Sequence, residues 1–155
     1  MRWIWDASEF VRKVRCRMRF GELSRASLEL LRLELRQHEA ECEWLIRPND
    51  QWDRDLPVAW QARNQMEQTL RDAMRLREFL FSSLPEIHRA RVEAYRQHQG
   101  ELELIISGTL DRADVVAPKI ASLVMRAKLH GFRFCLEDGI LQPLQTDAGK
   151  FVFAD

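Results

Sequence analysis

Asp50, Asp53 and Asp55 make the densest acidic loop in the chain, and oxygen ligands at such short spacing can in principle hold Mg²⁺ or Ca²⁺. The spacing does not match a calcium loop, and no bidentate Glu follows at the right distance. Asp55 also has a ready role as the cap of a helix opening at Pro57. The expectation is therefore no metal and no cofactor. His38, His88, His98 and His130 are scattered, and none has a neighbour that would position it as a general base. Cys16, Cys42 and Cys135 are an odd number at wide spacing, without a Cys-x-x-Cys pair or an adjacent His. A disulfide framework or zinc site does not fit them. Phosphate-loop, dinucleotide, serine-hydrolase and zinc-protease motifs are missing from the sequence, which leaves no positive sign of an enzyme.

A basic, tryptophan-flanked beginning is the remaining candidate. Arg2, Arg12, Lys13, Arg15, Arg17 and Arg19 oppose Asp6 and Glu9 and give the first 20 residues a net charge of +4. All five tryptophans, Trp3, Trp5, Trp44, Trp52 and Trp60, lie in the first 60 residues. Trp44 fits the inner face of a hairpin. Trp3, Trp5, Trp52 and Trp60 stand at a terminus, in a loop and at a helix start, where complete burial is harder. They can seal the core, or anchor a partner, since Trp is enriched at binding hot spots. The candidate interaction surface is Trp3, Trp5, Arg12, Arg15, Arg19, Trp52 and Trp60. Such a basic helix can meet a phosphate backbone, a membrane surface or an acidic protein; the bland alternative is a solvated face answered by Glu39, Glu41 and Glu43.

The elements that must position these residues follow from composition and period. With 155 residues, 46% of them hydrophobic and 31% charged, the chain can build one core without staples. Residues 1–144 read as one domain and 145–155 as a tail, frayed or docking as an edge strand through Phe151, Val152 and Phe153. Basic and acidic residues number 24 each, so the bulk positive field of a dedicated nucleic-acid binder is missing. Arg outnumbers Lys by 20 to 4, as in a bacterium with a GC-rich genome. No signal-peptide run and no apolar stretch of spanning length is present, and the expectation is a cytoplasmic protein without membrane insertion.

A capping signal at Asp6 to Glu9 and apolar spacing at Phe10, Val14 and Met18 predict a helix over 6–20, stopped by Gly21. Alternation at Val14, Cys16, Met18 and Phe20 keeps a strand open for its second half. Leu31, Leu33 and Leu35 alternate with charges, as do Ala40, Cys42 and Trp44, predicting a hairpin whose outer face sets Arg32 and Arg36 near Glu39, Glu41 and Glu43. Pro57 opens a long helix with Ala62, Met66, Leu70, Ala73, Leu76 and Leu80 on one face and Glu67 placed to pair with Arg71, and Pro85 ends it. A second hairpin turns at Gln97 to Gly100. A third helix opens at Pro118 and closes at Gly131, and a third hairpin turns at Asp138-Gly139. The fold class is α+β, helix then hairpin three times over, as an antiparallel sheet of hairpins with three helices packed mainly on one face.

Residues 121–139, an apolar helix, Gly131, an alternating strand and the Asp138-Gly139 turn, resemble the helix-then-hairpin segment of docking domains at the ends of bacterial peptide-synthetase subunits. The element order is similar to that of secretion-chaperone-type α+β domains, which would imply binding of extended segments of other proteins. Neither resemblance carries a site residue over. The reading is a noncatalytic protein–protein interaction or adaptor domain, using a hairpin edge or Trp-lined surface to hold a partner or a second copy. The alternative is nucleic-acid binding through the basic first helix and the adjacent tryptophans.

Overall fold

The structure, a computed structural model, describes residues 2–19, 21, 23, 26–49, 54–112 and 122–144, with side chains described from residue 7. The first segment is a helix and not a strand: α1 runs Arg2–Arg17, starting ahead of the expected cap at Asp6 and ending well before Gly21. Phe10 and Val14, continued by Met18 just past its end, are four residues apart and form its buried stripe.

The first hairpin forms as its alternation requires. β1 (Glu29–Arg36) and β2 (Glu39–Leu45) are antiparallel, with Leu33 opposite Cys42 and Leu35 opposite Ala40. One inner residue is corrected. The register slips between Leu30 and Arg32, so Leu30 stands opposite Trp44, while Leu31 is left at the irregularity with 39% of its surface exposed.

α2 (Val58–Ser83) follows, 26 residues long, with Pro57 at its start and Leu70, Ala73, Leu76 and Leu80 buried. Its length, about 39 Å at the α-helical rise, carries the chain back along β2. This return explains the main correction to the expected sheet. β3 (Arg89–His98) enters at the end where β2 began and pairs with it in parallel, Ala40 beside Ala90 and Trp44 beside Ala94. The sheet is thus mixed and not antiparallel throughout. Two smaller expectations also fail. Asp55 does not cap α2, which has no side-chain cap bond, and Glu67 pairs back to Arg63 at 3.3 Å instead of forward to Arg71.

β4 (Glu101–Asp111) returns antiparallel to β3 through a turn with Gln99 and Gly100 at φ 52° and 82°. α3 (Leu123–Leu129) is capped by Ser122, whose hydroxyl accepts from the Met125 amide at 3.3 Å. The expected opening at Pro118 lies outside the described residues. The third hairpin divides: β5 (Phe132–Arg133) joins the edge of β4, and β6 (Cys135–Glu137) pairs with β7 (Ile140–Gln142) as a separate two-strand sheet. Gly108 permits the β4–β5 contact, because a Cβ there would lie 2.5 Å from the Gly131 carbonyl oxygen.

The five-strand sheet runs β1-β2-β3-β4-β5. Its apolar face has a floor of small side chains at the two central strands, Ala40, Cys42, Ala90, Val92 and Ala94. That floor joins buried residues of all three helices in one cluster. Trp44 is fully buried there, as its place on the hairpin predicts. Among the described residues, no helix is long and apolar enough to cross a membrane.

Candidate functional site

β1 ends the sheet, and among the described residues its outer edge has no strand partner. Beside that edge lies a groove of about 620 Å³. Val11 and Val14 of α1 and Met18 just past its end form one wall and Leu28, Leu30 and Leu33 the other, with Arg15, Arg19 and Arg32 among the remaining lining residues. Arg15 is exposed. A sheet edge offers unpaired backbone donors and acceptors, and an apolar trough beside it adds burial for alternate side chains of an incoming strand.

A buried arginine holds the two walls in place. Arg47, two residues past β2, donates through Nε to Asp72 Oδ2 at 2.7 Å and through Nη2 to Asp72 Oδ1 at 3.2 Å. Its remaining donors reach backbone carbonyls: Met18 at 2.6 Å, Ala26 at 2.7 Å and Arg19 at 3.4 Å. All five guanidinium N–H groups thus have acceptors. Gln68 completes the cluster, donating to Asp72 Oδ1 at 3.0 Å and accepting from the Leu23 amide at 2.6 Å. One side chain therefore ties the C-terminal end of α1, the start of the connection to β1, and α2 together. A cation just past the C-terminal end of α1 also complements the helix dipole.

The opposite face of the sheet is charged and ordered in rows. One row crosses Arg32, Glu43, Glu93, Ser107 and Arg133; the next crosses Glu34, Glu41, Arg91 and Thr109. A hollow of about 320 Å³ lies over these rows. Arg32 donates to Glu34 at 2.5 Å, Glu41 at 2.7 Å and Glu43 at 2.9 Å, and the bonds to Glu41 and Glu34 hold its proton more tightly than usual. Arg36 donates to Glu34 at 2.6 Å, and Arg36, then Arg32, keep the Glu34 carboxyl below the usual carboxylate range. The Tyr95 hydroxyl donates to Glu93 at 3.0 Å. Its pKa is pushed up by burial and then by the Glu93 charge, which makes it a poorer acid than an ordinary tyrosine. The bonds from Arg32 to Glu41 and Glu43 cross between strands, as the hairpin alternation predicts, whereas Arg36 bonds Glu34 along its own strand instead of a glutamate of β2. Neither a nucleophile nor a general base is activated by them.

The structure brings together only part of the expected interaction surface. Arg15 and Arg19 line the groove, whereas Arg12 is exposed and paired with Glu9. Trp60 is 56% exposed on the first turn of α2, away from the groove lining. The side chains of Trp3 and Trp5, and the whole of Trp52, lie outside the described residues, as do Asp50 and Asp53. Asp55 is exposed, and among the described residues no three His, Cys, Asp or Glu side chains gather as a metal would need. His38 sits in the first turn with Nδ1 3.2 Å from the Glu86 carbonyl oxygen, a structural contact. Cys16 and Cys135 are exposed and Cys42 is buried.

Sequence reasoning missed Arg47 and the groove. The signal for Arg47 was its partner: Asp72 stands between Leu70 and Ala73 on the buried arc of α2, where a carboxylate requires a cation. No protein-family model, curated protein or solved structure matches the chain. The docking-domain and secretion-chaperone resemblances gain no support from these comparisons.

Proposed function

We propose that the chain is a noncatalytic protein-interaction module that takes an extended protein segment along the β1 edge. The observation that carries this reading is the open β1 edge lying directly against the apolar α1–β1 groove. An incoming strand pairs its backbone with β1 and sets its apolar side chains into the groove, the strand-addition mode of recognition. The Arg47 cluster makes the site preorganised, because α1 and the start of β1 are already fixed relative to each other.

Extended peptides displayed against the purified chain test this reading, followed by hydrogen exchange on the bound complexes. Binders that slow exchange of the β1 amides are the expected result. Binders that leave β1 exchange unchanged, or a screen without binders on a chain that sediments as a monomer, overturn it.

Nucleic-acid binding is the second reading, favoured by the exposed Arg15 and Arg17 on α1. It is the weaker one, because Arg12 is engaged with Glu9 and Lys13 donates to the Ser82 hydroxyl at 3.3 Å. Fluorescence titration with a single-stranded oligonucleotide at low salt is expected to show no salt-sensitive binding. Salt-sensitive binding that disappears on replacing Arg15 and Arg17 would reverse the order of the two readings.

A further inference from the structure

We propose that the strand received by the β1 edge is β1 of a second copy of this chain, paired antiparallel about a two-fold axis through Leu33; this rests on the interaction reading above. The sign pattern of the strand carries the inference. On the charged face β1 presents Arg32, Glu34 and Arg36, alternating at every second residue. Antiparallel pairing centred on Leu33 sets Arg32 opposite Glu34 of the second copy and, by symmetry, Glu34 opposite its Arg32. Leu33 meets its own counterpart on the apolar side, where it already packs against the core.

The competing registers are worse. Centring on Glu34 places it against its own counterpart and Arg32 against Arg36, all like charges. Parallel in-register pairing matches Arg32 with Arg32. Centring on Leu35 restores opposite charges but runs half the contact into the turn at Gln37 and His38, whereas Leu33 lies near the middle of the strand.

β1 lacks two of the common edge protections, Pro and Lys, and its inward positions are leucines. The one irregularity, at Leu31, lies toward its start and leaves Arg32 to Arg36 regular. With the axis at Leu33 the two apolar grooves face each other, so each copy covers the exposed Leu31 side chain and the half-buried Val11 and Leu30 of the other. Both charge contacts remain near the surface, so they select the register, while backbone pairing and apolar burial drive association.

Charge reversal tests the pairing. Wild type, Arg32→Glu and Glu34→Arg are compared by sedimentation over micromolar concentrations, alone and as an equimolar mixture of the two variants. The wild type is expected to sediment as a dimer, each variant to self-associate at least about tenfold more weakly, and the mixture to recover the dimer. Glu34→Arg keeps the test open if Arg32→Glu fails to fold, because the new guanidinium stands opposite Glu41. For it alone, weakening that added salt relieves supports the pairing, because the new contact is one of like charges. A dimer that persists in Glu34→Arg overturns the pairing. So does a monomeric wild type that still gains β1 protection from displayed peptides, which leaves the interaction reading standing. A monomer that gains none overturns both.

Discussion

Arg47 and Asp72 form a two-bond ion pair, at 2.7 and 3.2 Å, in which both side chains are almost wholly buried. Such pairs are usually costly to bury, and replacing both partners with apolar groups is often neutral. Here the guanidinium also serves three backbone carbonyls at the end of α1 and the approach to β1, so apolar replacement leaves those oxygens without a donor. Arg47→Met is therefore expected to cost about 3–5 kcal/mol in urea denaturation, and the double variant Arg47→Met/Asp72→Leu to remain clearly destabilised. A double variant as stable as the wild type would show that the carbonyl contacts contribute little.

Close backbone approach at the β4–β5 junction yields a second prediction. A Cβ at Gly108 meets the Gly131 carbonyl oxygen at 2.5 Å, and Gly131 itself sits at φ 101°, where a side chain is strained. Gly108→Ala is expected to cost about 1–3 kcal/mol and to speed amide exchange in β5 more than in β1. Uniform loss of protection across the sheet would mean that the junction is not a local contact.

The contrast between those two sites explains what the sequence discloses. Turns and alternation are local, so the hairpin at Gln37 and His38, the inward Trp44, the Arg32 pairs and the Asp138-Gly139 turn are all legible from neighbours in the chain. The parallel pairing of β2 with β3 depends on where a 26-residue helix delivers the chain, a long-range consequence that no local period encodes. The groove was hidden for a smaller reason. A one-residue slip at Leu31 moves a leucine from the inner face to the edge, and period-2 reading assigns the inner face to the wrong leucine of the Leu30-Leu31 pair. Arg47 follows a strand and precedes Pro48, and nothing in its immediate neighbours announces burial; the reason, Asp72, lies on another element.

Cys42 offers a pH signature. Burial, with a further contribution from the Glu43 charge, pushes its thiol up to about 12 from an ordinary value of 9.0. Between those values the unfolded chain releases a proton that the folded chain keeps, so the contribution of Cys42 to stability falls as pH rises. The slope is at most about 1.4 kcal/mol per pH unit. Denaturation at about pH 8 and about pH 10 should show a larger loss in the wild type than in Cys42→Ala. An aromatic disulfide reagent should label Cys16 and Cys135 in the native protein and Cys42 only after unfolding. Equal losses in the two proteins, or rapid native labelling of Cys42, would contradict the burial.

Leu31 separates association from stability. Its side chain is displaced to the edge and 39% exposed, so Leu31→Lys removes little from the core and is expected to change unfolding free energy by less than about 0.5 kcal/mol. The same lysine puts an unpaired charge where the second strand must bury its apolar side chains, one of the devices by which natural edge strands refuse partners. Leu33→Lys must behave differently, because Leu33 packs against the core and its loss destabilises the monomer as well. Urea denaturation paired with sedimentation distinguishes the two positions: Leu31→Lys should be a stable monomer, and Leu33→Lys a destabilised one. A Leu31→Lys protein that associates as the wild type does would place the interaction surface somewhere other than β1.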